Sequence, residues 1–145
     1  ASGEFDAAVS TLSGNPAVGY AVDSVGSIHA IDGAIAAGVK HFVLVSSIGV
    51  GDSADALPPP VLKVLGEALA GKLEAENYLV ASGLAYTIIR PGVLTNKPAN
   101  GNGILTEDVS AMGVVSRAEI ARLTIESIGN EEANGRTYSA VEEKK

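Results

Sequence analysis

The chain has 145 residues, 46% of them hydrophobic, with no cysteine, two histidines and a formal net charge of −7. Without cysteine there is no disulfide, thiolate metal site or cysteine nucleophile, and two histidines make a histidine-based metal centre improbable, so no metal ligands are predicted. The even spread of negative charge argues against nucleic acid as a partner, and no apolar run is long enough for a transmembrane segment.

The first half of the chain alternates between strand and helix patterns. Phe5–Leu12 is a β-branched, apolar run that predicts a strand, followed by a turn cluster at Ser13–Pro16. Asp23 is placed to cap a helix that ends at Gly38, where glycine followed by valine is typical of a Schellman ending. His41–Val45 is apolar without alternation, which predicts a parallel strand covered on both faces.

The second half repeats this alternation. Gly51–Pro60 is expected to be a loop that closes in polyproline II, and Val61–Ser82 carries a helical pattern. The remaining elements are predicted to be a buried strand at Tyr86–Ile89, a loop at Pro98–Gly103, a helix from Ser116 to Ile128 and a strand at Arg136–Val141. Ser116 and Glu119 have the spacing of a capping box, with Val115 and Ile120 as its hydrophobic staple.

This order of elements predicts one α/β domain over residues 1–145. Its sheet would be mostly parallel, with about four strands and helices on its faces.

Gly66–Lys72 matches the first seven positions of a phosphate-binding P-loop. Two features contradict that interpretation. Leu73 stands where a P-loop requires serine or threonine, and the segment lies inside a helical pattern rather than between a strand and a helix. We therefore expect no P-loop here.

Lys72 lies on the apolar stripe of its predicted helix, three residues after Leu69 and four after Ala68. A cation on an apolar face must extend to solvent, form an ion pair or contact a ligand, because an unpaired buried charge is costly. Glu76, one turn further on, is the nearest candidate partner in the sequence. The pattern leaves open whether Lys72 extends to solvent, pairs with Glu76 or faces a ligand.

The ends of the predicted strands are small, polar or glycine-containing. They comprise Leu12 and Ser13 after the first strand, Ser46 and Ser47 after the second, and Arg90, Pro91 and Gly92 after the third. Ligands of open α/β sheets bind beyond the carboxyl ends of the strands. Together with Lys72, these residues are the candidate binding residues.

Several segments in this order resemble the atypical short-chain dehydrogenase/reductases of the NmrA-like, NAD(P)-binding type. They are Val22–Gly49, Lys72–Leu79, Ser82–Gly92 and Val115–Ala121. The resemblance implies a Rossmann-like fold, NAD or NADP as cofactor, and cofactor binding by Leu12, Ser13, Ser46, Ser47, Lys72, Arg90, Pro91 and Gly92.

The resemblance covers only the later portion of the family, because none of the 17 glycines forms the spacing G-x-G-x-x-G. Lys72 and Ser47 match catalytic positions, whereas Ala68 stands where classical members have tyrosine, so no complete catalytic set is implied. We therefore expect the isolated chain not to hold the cofactor. The first residue is not methionine, and an earlier segment is expected to be missing.

Three functional hypotheses follow from the resemblance. The first is a non-catalytic subunit of a larger assembly, as in relatives associated with photosynthetic and respiratory complexes, with other protein chains covering the edge strand Phe5–Leu12. The second is an NAD(P)H-dependent oxidoreductase or NAD(P) sensor whose glycine-rich half lies elsewhere, and the third is a small-molecule binder. The expected location is intracellular and soluble, in the chloroplast stroma or mitochondrial matrix, because no secretion signal is visible.

Overall fold

A computed structural model describes residues 4–15 and 19–143. Pro16, at the end of the expected turn cluster, lies outside them. The helices are α1 (Gly19–Ala21), α2 (Ser27–Ala36), α3 (Pro59–Ala81) and α4 (Arg117–Ser127). The strands are β1 (Ala7–Ser10), β2 (His41–Val45), β3 (Tyr86–Pro91), β4 (Val93–Thr95), β5 (Gly103–Thr106), β6 (Val114–Ser116) and β7 (Arg136–Glu142). A π-helical turn, Val22–Gly26, joins α1 to α2, and 3-10 turns lie at Gly51–Ala56 and Glu131–Ala133.

The main sheet has the order β1-β2-β3-β7-β5, in which the first four strands are parallel and β5 is antiparallel to β7. The predicted α/β class and its four parallel strands are confirmed. The strand count was incomplete: Gly103–Thr106, which follows the expected loop, is a fifth strand, and β4 pairs with β6 in a separate two-stranded sheet. The first strand is shorter than predicted, since only Ala7–Ser10 pair with β2.

Alternating side chains of β2 and β3 pack on opposite faces of the sheet. Phe42, Leu44 and Ile88 contact the apolar side of α2 and α3, whereas Val43 and Ile89 contact α4. All five are at most 4% exposed, and full burial of such a side chain contributes about 1.5–3 kcal/mol. The prediction that His41–Val45 is covered on both faces is therefore confirmed.

The predicted Schellman ending of α2 is confirmed at Gly38. Its φ is +68°, the Val39 N–H donates to the Ala34 carbonyl, and the Gly38 N–H donates to the Ile35 carbonyl. The prediction for the proline run was wrong in part. Only Pro58 is extended; the next two prolines start α3, where a missing N–H costs nothing.

Only one of the two hydrogen bonds of the capping box at α4 forms. The Ser116 hydroxyl accepts the Glu119 N–H at 3.1 Å, as predicted, but the Glu119 carboxylate does not return to the Ser116 N–H. That N–H donates to Glu142 instead. Glu119 is fully buried and accepts the N–H groups of residues 100, 101 and 103, together with the guanidinium of Arg122. Arg122 and these backbone donors hold the pKa of Glu119 below its usual value. The carboxylate thus fixes the loop before β5, a role that its capping position does not reveal.

His41 is buried at the start of β2 as a neutral imidazole. Its Nδ1 accepts the Gly129 N–H at 2.9 Å, and its Nε2 lies 3.0 Å from the Thr87 hydroxyl, which itself donates to the Ala133 carbonyl. Since Thr87 already donates its proton, Nε2 carries the hydrogen of the ring. Burial lowers the pKa of His41. A proton on Nδ1 would break the contact that holds the end of α4 against the sheet.

This geometry predicts a pH-dependent loss of stability. Because the pKa of His41 is lower in the folded chain than in the unfolded chain, unfolding takes up a proton, and the free energy of unfolding decreases as pH falls below about 6.5. Urea denaturation at pH 7.5 and pH 5.5 measures the difference. His41→Gln should reduce it, whereas His29→Gln, at an exposed histidine, should not. An unchanged difference in His41→Gln would show that other groups cause it.

Candidate functional site

A cleft of about 1140 Å³ lies beyond the carboxyl ends of β1, β2 and β3, between α3 and α4. Six of the eight predicted cofactor-binding residues line it, and these are Leu12, Ser13, Ser46, Ser47, Lys72 and Pro91. The topology explains the convergence, since parallel strands bring their carboxyl ends to one edge of the sheet. The structure thus brings together residues that are up to 79 positions apart in the chain, from Leu12 to Pro91.

Beneath the floor of this cleft, Lys72, which lines the cleft, forms an ion pair with Asp23, which does not line it. The Lys72 Nζ lies 2.9 Å from Oδ1 of Asp23, whose side chain is 0% exposed, and 3.5 Å from the Leu12 carbonyl. The other carboxylate oxygen of Asp23 is buried with no hydrogen-bond partner. The expectation that Asp23 caps a helix is therefore wrong. Of the alternatives left open for Lys72, the structure shows an ion pair, but with Asp23 rather than with Glu76.

Local backbone geometry places Asp23 against Lys72. Asp23 lies in the π-helical turn between α1 and α2, and such turns are frequent at functional sites. Gly71 allows α3 to approach this turn, since a Cβ there would come within 3.0 Å of the Tyr20 carbonyl and 3.1 Å of the Asp23 Cβ. Sequence reasoning missed Asp23, although a small residue directly before a lysine on an apolar stripe was a usable signal of close helix contact.

The serines at the strand ends provide further polar atoms. Ser46 is 8% exposed, and its hydroxyl is buried with no partner, as is that of Ser10 at the end of β1. The Ser47 hydroxyl donates to the Ile48 carbonyl at 2.9 Å. A small pocket lined by Asp23, Ser46 and Lys72 adjoins the cleft. That pocket has essentially no free volume, so the hydroxyls of Ser46 and Ser10 lie beneath the surface of the cleft.

Arg90 and Gly92, the other two candidates, do not line the cleft. The Arg90 guanidinium is buried and donates to both carboxylate oxygens of Glu76, at 3.0 and 2.7 Å, and to Asp52. This network joins β3, α3 and the 3-10 turn that follows β2. Gly92 lies where the backbone passes Gly113, whose carbonyl a Cβ at residue 92 would strike.

Tyr20 is a residue of the cleft wall that the sequence did not indicate. Its hydroxyl donates to Glu74 at 2.6 Å, and Glu74 also accepts from Ser24. The hydrogen bond to Glu74 raises the pKa of Tyr20, and the hydrogen bonds from Ser24 and Tyr20 lower the pKa of Glu74. A phenol that already donates to a carboxylate is a poor proton donor. Tyr20 therefore does not replace the tyrosine that classical members have at the position of Ala68.

Within residues 4–15 and 19–143, no three histidine or acidic side chains come together as a metal site, and no helix is long and apolar enough to cross a bilayer. The P-loop-like segment lies inside α3. Its amides are therefore engaged within the helix, and the interpretation that rejected a P-loop is supported.

The ion pair predicts an asymmetric response to mutation. Lys72→Met leaves the buried Asp23 carboxylate without its cation and should lower the free energy of unfolding by about 2–4 kcal/mol, whereas adding Asp23→Asn should restore part of it. Lys40→Met, which breaks the exposed pair with Asp6, is the matched control and should cost less than about 1 kcal/mol. Urea denaturation of the wild type and the three variants measures these differences. A Lys72→Met chain as stable as the wild type would mean that the pair contributes nothing.

The comparison with known proteins agrees with this site. The sequence model of the NAD(P)H-binding family matches residues 1–131. An uncharacterised chloroplastic protein of Arabidopsis thaliana is 38% identical over 127 residues, or 84% of this chain and 45% of that protein. Sanguinarine reductase of Eschscholzia californica is 36% identical over 124 residues, or 81% and 44%. The chain thus spans somewhat less than half the length of these two relatives.

Among solved structures, an anaerobilin reductase of Escherichia coli O157:H7 superposes with a TM-score of 0.83 at 33% identity. The match covers 97% of this chain and 65% of that protein. The resemblance to atypical short-chain dehydrogenase/reductases is therefore confirmed, and the chain belongs to the NAD(P)H-binding family with a Rossmann-like fold.

Proposed function

We propose that this chain forms the nicotinamide and substrate side of an NAD(P)H-dependent reductase site. The observation that supports this most directly is the Asp23–Lys72 pair beside the unpartnered Ser46 hydroxyl at the strand ends. Lys72, held in place by the buried Asp23, would bind ribose hydroxyls, and Ser46, Leu12, Ser13 and Pro91 would line the site. When bound, the cofactor supplies hydride transfer to or from its nicotinamide ring.

The sequence contains no glycine-rich turn that would bind the pyrophosphate and adenosine half of the cofactor. A pyrophosphate needs backbone N–H groups at a helix N-terminus after a glycine-rich turn, and no glycine trio here has that spacing. We infer that a separate glycine-rich unit completes the site by pairing with β1. Two relatives whose names state reductase activity, on sanguinarine and on anaerobilin, support a reductase over other classes of enzyme.

The proposal predicts that the chain does not distinguish the whole cofactor from its nicotinamide half. Reduced nicotinamide mononucleotide and NADPH should bind with dissociation constants within about threefold of each other, both in the millimolar range. Lys72→Met should abolish binding of both, because it removes the cation from the cleft floor. Chemical-shift titration by NMR measures the constants and locates the contacts.

Lys40→Met, which lies outside the cleft, is the control and should bind both compounds as the wild type does. NADPH binding more than about tenfold tighter than the mononucleotide would show an adenosine site in this chain and overturn the division proposed here.

A second candidate function is that of a subunit held in a larger protein assembly, and the open edge of the sheet favours it. Among the described residues, β1 has β2 on one side and no strand on the other. The Asp6 carbonyl accepts the His41 N–H. Because backbone groups alternate along a strand, the N–H and C=O of Ala7 and of Val9 point away from β2. Such an edge pairs readily with another strand, from a glycine-rich unit or from another chain. The chloroplastic relative supports a chloroplast location.

Proline at position 9 tests this edge. Val9→Pro removes an outward N–H but no bond to β2, so circular dichroism and thermal unfolding of the isolated chain should change little. In extracts of the native source, size-exclusion chromatography should show this variant leaving the high-mass fraction. Ile35→Ser, at an exposed apolar residue of α2, is the control and should elute as the wild type does. If Val9→Pro stays in the high-mass fraction, partners do not pair with β1.

A further inference from the structure

The cleft has a charge pattern opposite to that of the whole chain. Of the eight lysines and arginines in the described part of the chain, three line it, namely Lys63, Lys72 and Arg117, but only Glu67 of the 17 acidic residues there does so. Lys72 is neutralised by Asp23 beneath it. Lys63 and Arg117 thus provide an excess of positive charge in a chain whose net charge is −7.

Arg117 differs from the other arginines in its partners. Arg90, Arg122 and Arg136 each form an ion pair with a carboxylate. Arg117 donates instead to the neutral amide of Asn96, at 2.7 Å, and no ion pair links it to an acid within the described residues. It is also the first residue of α4, where the helix dipole disfavours a cation. Helix stability therefore does not explain a cation at this position.

Lys63 lies across the cleft from Arg117, on α3. Within residues 4–15 and 19–143 it forms no ion pair of its own. The next residue, Val64, is 83% exposed and also lines the cleft. A cation, Lys63, and a largely exposed apolar side chain, Val64, are therefore neighbours on the α3 side of the cleft.

Large apolar side chains cover much of the remaining surface of the cleft. Leu65, Leu94 and Ile125 line it with exposures of 38%, 40% and 68%. Leu94 belongs to β4, whose partner β6 leads directly into Arg117, so an apolar residue and a cation adjoin on this wall as well. Exposed apolar area in a concave site is stabilised when an apolar ligand displaces water from it.

We propose that the α3 and α4 walls of the cleft bind an amphiphilic anion, a molecule with a bulky apolar body and a carboxylate or similar group held by Lys63 and Arg117. This rests on the proposed function, in which such a molecule is the substrate beside the nicotinamide. The volume of about 1140 Å³ accommodates a ligand at or above the size of ordinary small-molecule sites.

Two fluorescent probes that differ by one charge test the proposal on the 145-residue chain. They are 8-anilinonaphthalene-1-sulfonate and its uncharged analogue N-phenyl-1-naphthylamine. The sulfonate should bind more tightly at low salt, and this advantage should shrink as salt is added. Lys63→Gln and Arg117→Gln should each weaken sulfonate binding by about five- to tenfold and leave the uncharged probe unchanged. Val64→Ser should weaken the binding of both probes.

Lys97→Gln removes an exposed cation that does not line the cleft, and it is the matched control. It should leave the affinity for both probes unchanged. Equal affinities for the two probes, or no effect of Lys63→Gln and Arg117→Gln, would overturn the proposal and leave an apolar surface suited to a protein partner. The nicotinamide titration depends on Lys72, whereas this one depends on Lys63 and Arg117. Failure of the proposed function is therefore distinguishable from failure of the ligand class.

Discussion

The ion pair between Lys72 and Asp23 is the interaction on which the geometry of the candidate site depends. To form it, the π-helical turn between α1 and α2 must contact α3, and glycine at position 71 leaves room for that contact. The same contact closes one face of the sheet, because α2 and α3 together cover Phe42, Leu44 and Ile88. Helix packing and the geometry of the site therefore have a common origin.

The buried charged groups of the chain fall into two kinds. Arg90 is saturated by two carboxylates, and Glu119 by an arginine and three backbone N–H groups, so neither has capacity for a ligand. Asp23 differs, since one of its oxygens has no partner. Arg90, although it stands at a strand end, is therefore a structural residue of the scaffold, whereas Asp23 holds Lys72 from a helical segment beneath the cleft.

Much of the fold was predictable from sequence because it follows from local signals. The unbroken apolar run of His41–Val45 and the glycine at residue 38 each determine their structure within a few residues. The features that sequence reasoning missed depend on distant contacts. The β5 strand exists because β7 and Glu119 hold it, and the partner of Lys72 lies 49 positions away, in a turn whose sequence also suits a helix cap. Likewise, five of the candidate binding residues line the cleft because the strand ends place them there, whereas Asp23, which a helical segment supplies, was not among the candidates.

A buried ion pair is weak evidence of stability, because apolar residues of similar volume often stabilise a core as well or better. Residues 23 and 72 could therefore be apolar with no loss to the fold, and the close contact at Gly71 would then be unnecessary. The pair lies instead beneath an open cleft, where one Asp23 oxygen and the adjacent Ser46 hydroxyl are buried without a partner. Such unpartnered buried atoms cost free energy that an apolar core would not. Their position beside the ends of the strands is the arrangement expected of a chain whose site, rather than its core, selects these residues.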